Sequence, residues 1–151
     1  MVNQKRFLLV DDDEDDICVF KEVLEDVNPS IDLACAGDGK EALKLLKQEQ
    51  NKLPDIIFLD LNMPLMGGKE CLCELKKDPQ LKRIPVIMYT TSSQSKDIEE
   101  TMLNGAICFI TKPTSLRELK NILSSISHNI NSDLEKCLRT LSDTSGTFIV
   151  C

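Results

Sequence analysis

The chain carries the sequence DIIFLDLNMP at residues 55–64, in which four apolar residues lead into an acid and a turn follows. A short apolar run bounded by polar residues and proline is typical of a buried strand. Asp60, which follows the run, is therefore predicted to lie where a buried strand leaves its sheet. Many acids end strands, so this position has to be compared with the ends of the other predicted strands.

Apolar runs alternate with amphipathic segments along the rest of the chain. In the segments between the runs, apolar residues recur with the spacing of helices. Strands that alternate with helices favour an α/β fold with a parallel sheet and helices on both faces. Right-handed crossovers and a doubly wound strand order of 2-1-3-4-5 follow as the default. The five predicted strands are residues 7–10, 31–35, 56–61, 86–90 and 107–111.

Residues 131–151 extend beyond these five units. Ser132 and Glu135 have the spacing of a capping box, and an apolar stripe follows, so a short sixth helix is predicted. Its stripe suits packing within the chain, and a partner site is the alternative. Residues 147–151 have strand composition and could pair with a sheet edge, pair with a second molecule, or fray.

The composition is that of a soluble globular domain, with 151 residues, 42% apolar residues and a net charge of -7. The acidic balance argues against nucleic acid as a partner. No apolar run approaches the ~20 residues that cross a bilayer, and no secretory signal is recognised, so a cytoplasmic location without membrane contact is expected. The seven cysteines have no zinc-like spacing, and we interpret them as small buried apolar residues in a reducing compartment.

Acidic residues follow two of the predicted strands. Asp11 and Asp12 end the first strand and Asp60 ends the third, and these strands are neighbours in the proposed order. Ligands bind beyond the carboxyl ends of such strands. Three carboxylates at one place repel one another unless a cation neutralises them, and Mg²⁺ is the common choice. The acids that follow, from Asp13 to Asp16, are interpreted as the capped start of a solvated helix.

Two further strand ends narrow the use of this site. Thr90 offers a hydroxyl group after the fourth strand, and Lys112 offers a positive charge after the fifth. A metal ion, a cation and a hydroxyl around one carboxylate form a cradle for a phosphoryl group. The carboxylate of Asp60 can itself be the nucleophile.

These residues resemble those of the response-regulator receiver domain of bacterial two-component signalling, of the chemotaxis-regulator type and with a flavodoxin-like fold. The resemblance implies a receiver domain over residues 1–130, a C-terminal extension over residues 131–151, and similarity to stand-alone receivers paired with phytochrome-type kinases. The motifs that carry it are LVDDD at 9–13, DLNMP at 60–64 with Gly67 and Gly68, PVIMYT at 85–90 and FITKP at 109–113.

The resemblance also implies roles in phosphorylation. Asp60 would accept a phosphoryl group from a sensor histidine kinase or a histidine phosphotransfer protein. Asp12 would bind Mg²⁺ directly, Asp11 mainly through water, and Asn62 through its backbone carbonyl. Lys112 would pair with a phosphate oxygen.

Conformational switching is implied at three positions. Thr90 would move to bond the phosphoryl group, and Phe109 would swing inward into the space that Thr90 leaves. Since Phe109 has no hydroxyl, its readout must be packing alone. The peptide bond between Lys112 and Pro113 would be cis. The conformational change would be read by partners on the surface that the fourth and fifth strands form with the fourth and fifth helices.

The expected function is therefore a phosphoacceptor that switches conformation and binds a downstream protein, without enzymatic activity beyond its own phosphorylation and dephosphorylation. No output domain follows residue 130, so we expect it to act by docking, and a homodimer is left open. One alternative is a Mg²⁺-dependent phosphohydrolase. Such an enzyme requires a general acid at the position of Asn62, whose amide cannot donate and take back a proton. The other is a constitutive pseudo-receiver. Asn62 and Ser92 occupy positions that, in the family, tune how long the phosphoryl group stays on the aspartate. Neither residue is placed to make very fast hydrolysis obvious, so we expect the phosphorylated state to last for minutes or longer.

Overall fold

Short strands of almost continuous apolar sequence form the central sheet, since a parallel strand is covered on both faces. The computed structural model describes residues 4–48 and 52–151. The elements are β1 (Arg6–Val10), α1 (Glu14–Val27), β2 (Asp32–Ala36), α2 (Gly39–Leu46), β3 (Ile56–Leu59), α3 (Gly68–Lys77), β4 (Val86–Thr90), α4 (Ser95–Leu103), β5 (Cys108–Thr111), α5 (Leu116–His128), α6 (Leu134–Thr144) and β6 (Ile149–Val150).

The predicted strand order is confirmed. The sheet has the order β2-β1-β3-β4-β5-β6, in which the first five strands are parallel and β6 runs antiparallel to β5. The fold is thus the doubly wound, flavodoxin-like α/β fold expected, with one added edge strand. The order of the strands reverses between β1 and β3, and the carboxyl ends of these two strands therefore flank a crevice.

The helices bury an apolar core on each face of the sheet. On one face, α1, α5 and α6 cover a cluster that contains Phe20, Phe58 and Tyr89. The ring of Phe20 meets the ring of Phe58 edge-on, with 5.1 Å between centroids, a favourable geometry for aromatic pairs. On the other face, α2, α3 and α4 cover a second cluster that contains Leu59 and Phe109. The carboxyl edge of the sheet is thereby held from both sides.

The third strand is shorter than residues 56–61. The Asp60 amide still donates to the carbonyl of Val10 at 3.0 Å. The Leu61 amide instead turns to the Asp60 side chain, 2.7 Å from Oδ1, so the ladder ends at Leu59. Asp60 therefore stands just outside the strand and not within it.

Side chains cap four of the helices, and at one of them the capping residue differs from the expectation. Asp13 accepts hydrogen bonds from the amides of Asp15 and Asp16, as expected of an N-cap. The capping box predicted from Ser132 is wrong. Asp133, which caps equally well, accepts from the Lys136 amide at 3.0 Å and starts α6 one residue later. The other two caps are Asp38 for α2 and Ser115 for α5.

The C-terminal extension folds back onto the same chain. Leu138 and Leu141 of α6 are buried in the cluster shared with α1 and α5. The strand β6 then pairs with β5, which selects the sheet edge among the three alternatives left open for residues 147–151. The division into a receiver domain of residues 1–130 and an extension stays a prediction. Within residues 4–48 and 52–151, the helices are all too short or too polar to span a bilayer.

The cysteines only partly follow our interpretation. All seven thiols are free. Cys71 and Cys108 are buried, as expected of small apolar residues. The interpretation is wrong for Cys18 and Cys35, which are exposed, and Cys151 at the end of the sequence is exposed as well.

Candidate functional site

Three carboxylates meet at the crevice between β1 and β3. Oxygens of Asp11, Asp12 and Asp60 lie within 4.8 Å of one another. Asp11 is fully buried, Asp60 is 7% exposed and Asp12 is exposed. The cluster is thus open to solvent on the side of Asp12 and closed beneath Asp11, which is a suitable shape for a hydrated cation.

Asp11 is the most constrained of the three acids. Its Oδ1 accepts a hydrogen bond of 2.9 Å from the Asp13 amide, and its Oδ2 lies 2.7 Å from Lys112 Nζ. Burial raises the pKa of Asp11, and the contact with Lys112 opposes that rise. The buried Oδ2 is thus paired with one cation, the ammonium group of Lys112, although their geometry is not that of an ordinary hydrogen bond.

The carboxylate of Asp60 has two different environments. Its Oδ1 accepts from the Leu61 amide at 2.7 Å, and its Oδ2 lies 3.4 Å from Lys112 Nζ. Gly68, at the start of α3, fixes the backbone beneath it. A Cβ atom at Gly68 would lie only 2.1 Å from the Asp60 carbonyl oxygen, so the helix can approach this closely only with glycine.

The loop after Asp60 contains a sharp turn. The Met66 amide donates to the Pro64 carbonyl at 2.7 Å, and Leu65 between them has a φ of 63°. This is a γ-turn with positive φ, which is a strained conformation for a residue with a side chain. Asn62 is exposed at the start of the loop. Together these features shape the loop that follows Asp60.

Lys112 contacts three acids at once. Its Nζ lies 2.7 Å from Asp11, 2.7 Å from Asp16 and 3.4 Å from Asp60. Burial alone would lower the pKa of Lys112, but the hydrogen bonds to Asp11 and Asp16 outweigh it and raise the pKa. The lysine is therefore held charged in the crevice by its neighbours.

Sequence reasoning missed the role of Asp16. We assigned it to the solvated start of a helix, but its carboxylate bonds to Lys112. The signal was helical spacing, because Asp16 lies four residues before Phe20, which is buried on the face of α1 turned to the sheet. An acid on that face of the first turn points to the carboxyl edge of the sheet.

The peptide bond between Lys112 and Pro113 differs from the expectation. The described residues contain no cis peptide bond, so the cis geometry implied by the family resemblance is wrong here. The trans form is favoured for such bonds by ~0.5–1 kcal/mol. The Lys112 amide donates to the Thr90 carbonyl at 2.7 Å, which anchors the lysine next to β4.

Thr90 is fully buried at the end of β4, and its hydroxyl contacts the following loop. Thr90 Oγ1 accepts from the Ser92 amide at 3.5 Å. Ser92 in turn donates its hydroxyl to Asp97 at 2.6 Å, and its carbonyl accepts from the Thr111 hydroxyl at 2.9 Å. Ser92 thus joins the end of β4 to both β5 and α4.

An ion pair continues this network to α3. Lys69 Nζ lies 2.7 Å from Asp97 and 2.7 Å from Glu100. The bond from Lys69 lowers the pKa of Asp97, with a further contribution from Ser92. The helix α4 is therefore tied to the neighbouring helix at the end that faces the crevice.

Phe109 lies away from the acids. It is fully buried in the core beneath α3 and α4, opposite Met88 on β4. Since strand residues two apart share a face, Phe109 lies on the face that carries Thr90. The structure thus separates the sequence-predicted residues into an acid-and-lysine group at the crevice and a buried pair behind it.

An Asp-centred crevice at the switch point of a flavodoxin-like sheet defines the class of proteins that carry a phosphoryl group on an aspartate. The sequence profile of the response regulator receiver domain matches residues 7–124. The chain belongs to this family.

The relatives agree with this assignment. The chain is 36% identical over 126 residues to Response regulator Rcp1 of Synechocystis sp., covering 81% of this chain and 86% of Rcp1. The phosphorylated cyanobacterial phytochrome response regulator RcpA has a similar structure, with a TM-score of 0.79 and 36% identity over 86% of this chain and 96% of that one. The Mn²⁺-bound form of Rcp1 also has a similar structure, with a TM-score of 0.76 and 34% identity, covering 85% of this chain and 96% of Rcp1 in that structure.

The chain is a phosphoacceptor response regulator, and neither the pseudo-receiver nor the phosphohydrolase alternative is favoured.

Proposed function

We propose that Asp60 is the residue that accepts the phosphoryl group. The observation that carries the proposal is the position of its carboxylate, which is 7% exposed and has Lys112 Nζ 3.4 Å from Oδ2. An Asp60 oxygen would attack the phosphorus of a phosphohistidine. A new O–P bond forms, the P–N bond breaks, and the imidazole leaves with a proton. Lys112 would neutralise charge on the oxygens of the transferred group.

Mg²⁺ is the proposed cofactor, held by Asp11, Asp12, Asp60 and the backbone carbonyl of Asn62. The donor set fits a hard cation, because it consists of carboxylate oxygens of three acids that lie within 4.8 Å of one another. When bound, the ion would supply positive charge to the transferred phosphoryl group. The Mn²⁺-bound form of Rcp1 supports a divalent ion in a relative.

We propose that Asp16 restrains Lys112 before phosphorylation. The lysine shares its contacts among Asp11, Asp16 and Asp60, and Asp16 lies as close to it as Asp11 does. A phosphoryl group on Asp60 would compete with Asp16 for the same ammonium group. Phosphorylation would therefore draw Lys112 toward Asp60 and away from α1.

The conformational signal is proposed to run through Thr90. To donate a hydrogen bond to the phosphoryl group, its hydroxyl would turn from the Ser92 amide. Ser92 would then be free to move with its partner Asp97 on α4. The vacated space lies on the face of the sheet that carries Phe109, which would shift into it as a packing change. The phosphoryl group biases an equilibrium between two arrangements of this region.

The proposed donor is a sensor histidine kinase or a histidine phosphotransfer protein, and the proposed receiver of the signal is a downstream protein target. Similarity to RcpA, a phytochrome response regulator, favours a phytochrome-type kinase. A cytoplasmic location fits such a donor. We assign no catalysis beyond the phosphorylation and dephosphorylation of Asp60.

Intact-mass measurement after incubation with acetyl phosphate and Mg²⁺ tests the phosphoacceptor. The expected result is one adduct of about 80 Da that is absent from Asp60→Asn and from samples with a chelator. Asp26→Asn is the matched control, since Asp26 is an exposed acid on α1 that pairs with Lys120. An adduct that persists in Asp60→Asn refutes the assignment. Turnover of phosphate esters would support the phosphohydrolase, and the absence of any adduct would support the pseudo-receiver.

A further inference from the structure

Two cysteines lie opposite each other at the C-terminal edge of the sheet. The strands β5 and β6 pair Phe109 with Val150 and Ile110 with Ile149. One more step along the same antiparallel register places Cys108 opposite Cys151. Their Sγ atoms are 2.6 Å apart, in direct contact.

The backbone geometry around this pair suits a covalent link. The Thr111 amide donates to the Phe148 carbonyl at 3.0 Å, which marks that pair as hydrogen-bonded. Since such pairs alternate with non-hydrogen-bonded ones, Cys108 and Cys151 form a non-hydrogen-bonded pair, with Cα atoms ~4.5 Å apart. Disulfides span Cα separations of ~4.4–6.8 Å. Oxidation would therefore require little movement of either strand.

The two thiols differ in exposure and acidity. Cys151 is exposed, and the hydrogen bond from Cys108, with help from nearby Arg139, holds the pKa of Cys151 below its ordinary value. Cys108 is buried, and its contact with Cys151 together with burial raises the pKa of Cys108. Cys151, which is exposed, is thus the thiol that an external reagent meets first, and Cys108 is placed to react second.

The surface next to Cys151 can admit a small reagent. A pocket lined by Ile107, Glu135, Leu138, Arg139 and Cys151 opens there, with a volume of about 240 Å³. Arg139 and Glu135 form an ion pair there, with 3.5 Å between their charged groups, and Ile107 contributes an apolar wall. A small disulfide of the glutathione type can reach the exposed Cys151 thiol through this opening.

We propose that Cys108 and Cys151 form a reversible disulfide that fastens the C-terminal strand β6 to β5. The Cys151 thiolate attacks one sulfur of a small-molecule disulfide, whose S–S bond breaks and releases one thiol. The thiolate released in the first step takes the proton of Cys108, and Cys108 attacks the Sγ of Cys151, which releases the second thiol. Two protein thiols are oxidised, and one small disulfide is reduced to two thiols.

The link would secure a segment that is otherwise held by few bonds. Apart from the strand pairing, Ser142 donates to the Ile149 carbonyl at 2.8 Å, and Ser145 and Thr147 donate to Glu118 at 2.9 Å and 3.4 Å. A bond between positions 43 residues apart in sequence suppresses opening of β6, because it closes a long loop in every open state. The edge of β5 would then stay covered. This inference does not depend on phosphorylation of Asp60.

The test is oxidation of the full chain with glutathione disulfide, followed by alkylation, trypsin digestion and mass spectrometry. We expect five of the seven cysteines to be alkylated and one linked peptide pair that contains Cys108 and Cys151. Trypsin cuts after Lys136 and Arg139, so Cys137 falls on a different peptide from Cys151. The link is expected to be lost in Cys151→Ser and retained in Cys137→Ser, the matched control on α6. Alkylation of all seven cysteines, or a link to Cys137, would overturn the proposal.

Hydrogen exchange checks that the bond fastens the strand. The Thr111 amide donates to Phe148, so its exchange reports the opening of the C-terminal strand. Oxidation is expected to slow this exchange by about tenfold or more in the natural chain and to leave it unchanged in Cys151→Ser. A linked chain with unaltered Thr111 exchange would contradict the clamp.

Discussion

Replacing Gly68 with alanine tests how tightly the start of α3 holds the phosphoacceptor. An added Cβ would lie 2.1 Å from the Asp60 carbonyl oxygen and 2.8 Å from the Leu61 Cα, both backbone atoms. Ordinary contacts begin near 3.4 Å, so one of the two elements has to move by about 1.3 Å. The strand β3 is fully buried, and the helix rests on the apolar core through Cys71 and Leu72. Neither element can yield without cost.

The expected loss of stability follows from two opposing contributions. Overpacking in a close-packed region costs ~1–3 kcal/mol, and the clash here is with backbone and not with a flexible side chain. Alanine at the first position of a helix recovers less than the ~1 kcal/mol it gains over glycine in a helix interior. We therefore expect Gly68→Ala to lower the free energy of unfolding by about 2 kcal/mol, measured by urea denaturation.

The same substitution is expected to slow phosphorylation. A displacement of ~1 Å at a reacting group can cost ~100-fold in rate. The rate of adduct formation with acetyl phosphate and Mg²⁺ should fall in Gly68→Ala more than the loss of folded protein explains. Gly37→Ala is the matched control, because its Cβ would meet only the end of the Glu41 side chain, at 3.3 Å, and no backbone atom. This reasoning would be refuted if Gly68→Ala had the same free energy of unfolding and the same rate of adduct formation as the natural chain. Equal losses in Gly68→Ala and Gly37→Ala would refute it as well.

Three further predictions concern the polar network. Asp16→Asn should phosphorylate faster with acetyl phosphate than Asp15→Asn, because Asp16 pairs with Lys112 and its neighbour is not part of that contact; equal rates would exclude the restraint. Since Lys69 lowers the pKa of Asp97 in the folded chain, that pair stabilises the fold above the unfolded pKa of ~3.9, and its contribution is lost as pH falls through the folded value. The melting-temperature deficit of Asp97→Asn should therefore shrink between pH 7 and pH 3, and a constant deficit would contradict this. Phosphorylated chain freed of donor should decay over minutes or longer, because the Ser92 hydroxyl is bonded to Asp97 at 2.6 Å; decay within seconds would refute it.

The sheet and its crevice could be predicted from the sequence because each depends on local pattern. The apolar run before Asp60 is buried on both faces of the sheet. Such a continuous apolar run is typical of a strand in a parallel sheet, and the sequence therefore indicates this strand directly. Once the strand order is set, the topology brings the residues after β1 and β3 together without further information. Asp11 and Asp60 therefore lie near each other because each follows one of two neighbouring apolar strands.

Features that depend on side-chain direction could not be predicted in the same way. Asp16 is an acid in an acidic run, and only its position on the inner face of α1 brings it to Lys112. Leu65 takes a positive φ that sequence alone assigns more readily to glycine or asparagine. The loop closes at that position because α3 has to begin at Gly68, directly against the backbone of Asp60.

The sheet edge with which the last five residues pair is decided by how close that edge lies and not by their composition. Strand-forming residues 147–151 can pair with any free sheet edge, including one on another molecule. Burial of Leu138 and Leu141 fixes α6 on the sheet, and the bond from Ser145 to Glu118 then directs the chain toward β5. A tethered strand this close has a high effective concentration at the edge, so pairing within the chain prevails over pairing between chains. A downstream protein that reads the edge of β5 must therefore first displace β6, whereas one that reads α4 meets no such competitor from this segment.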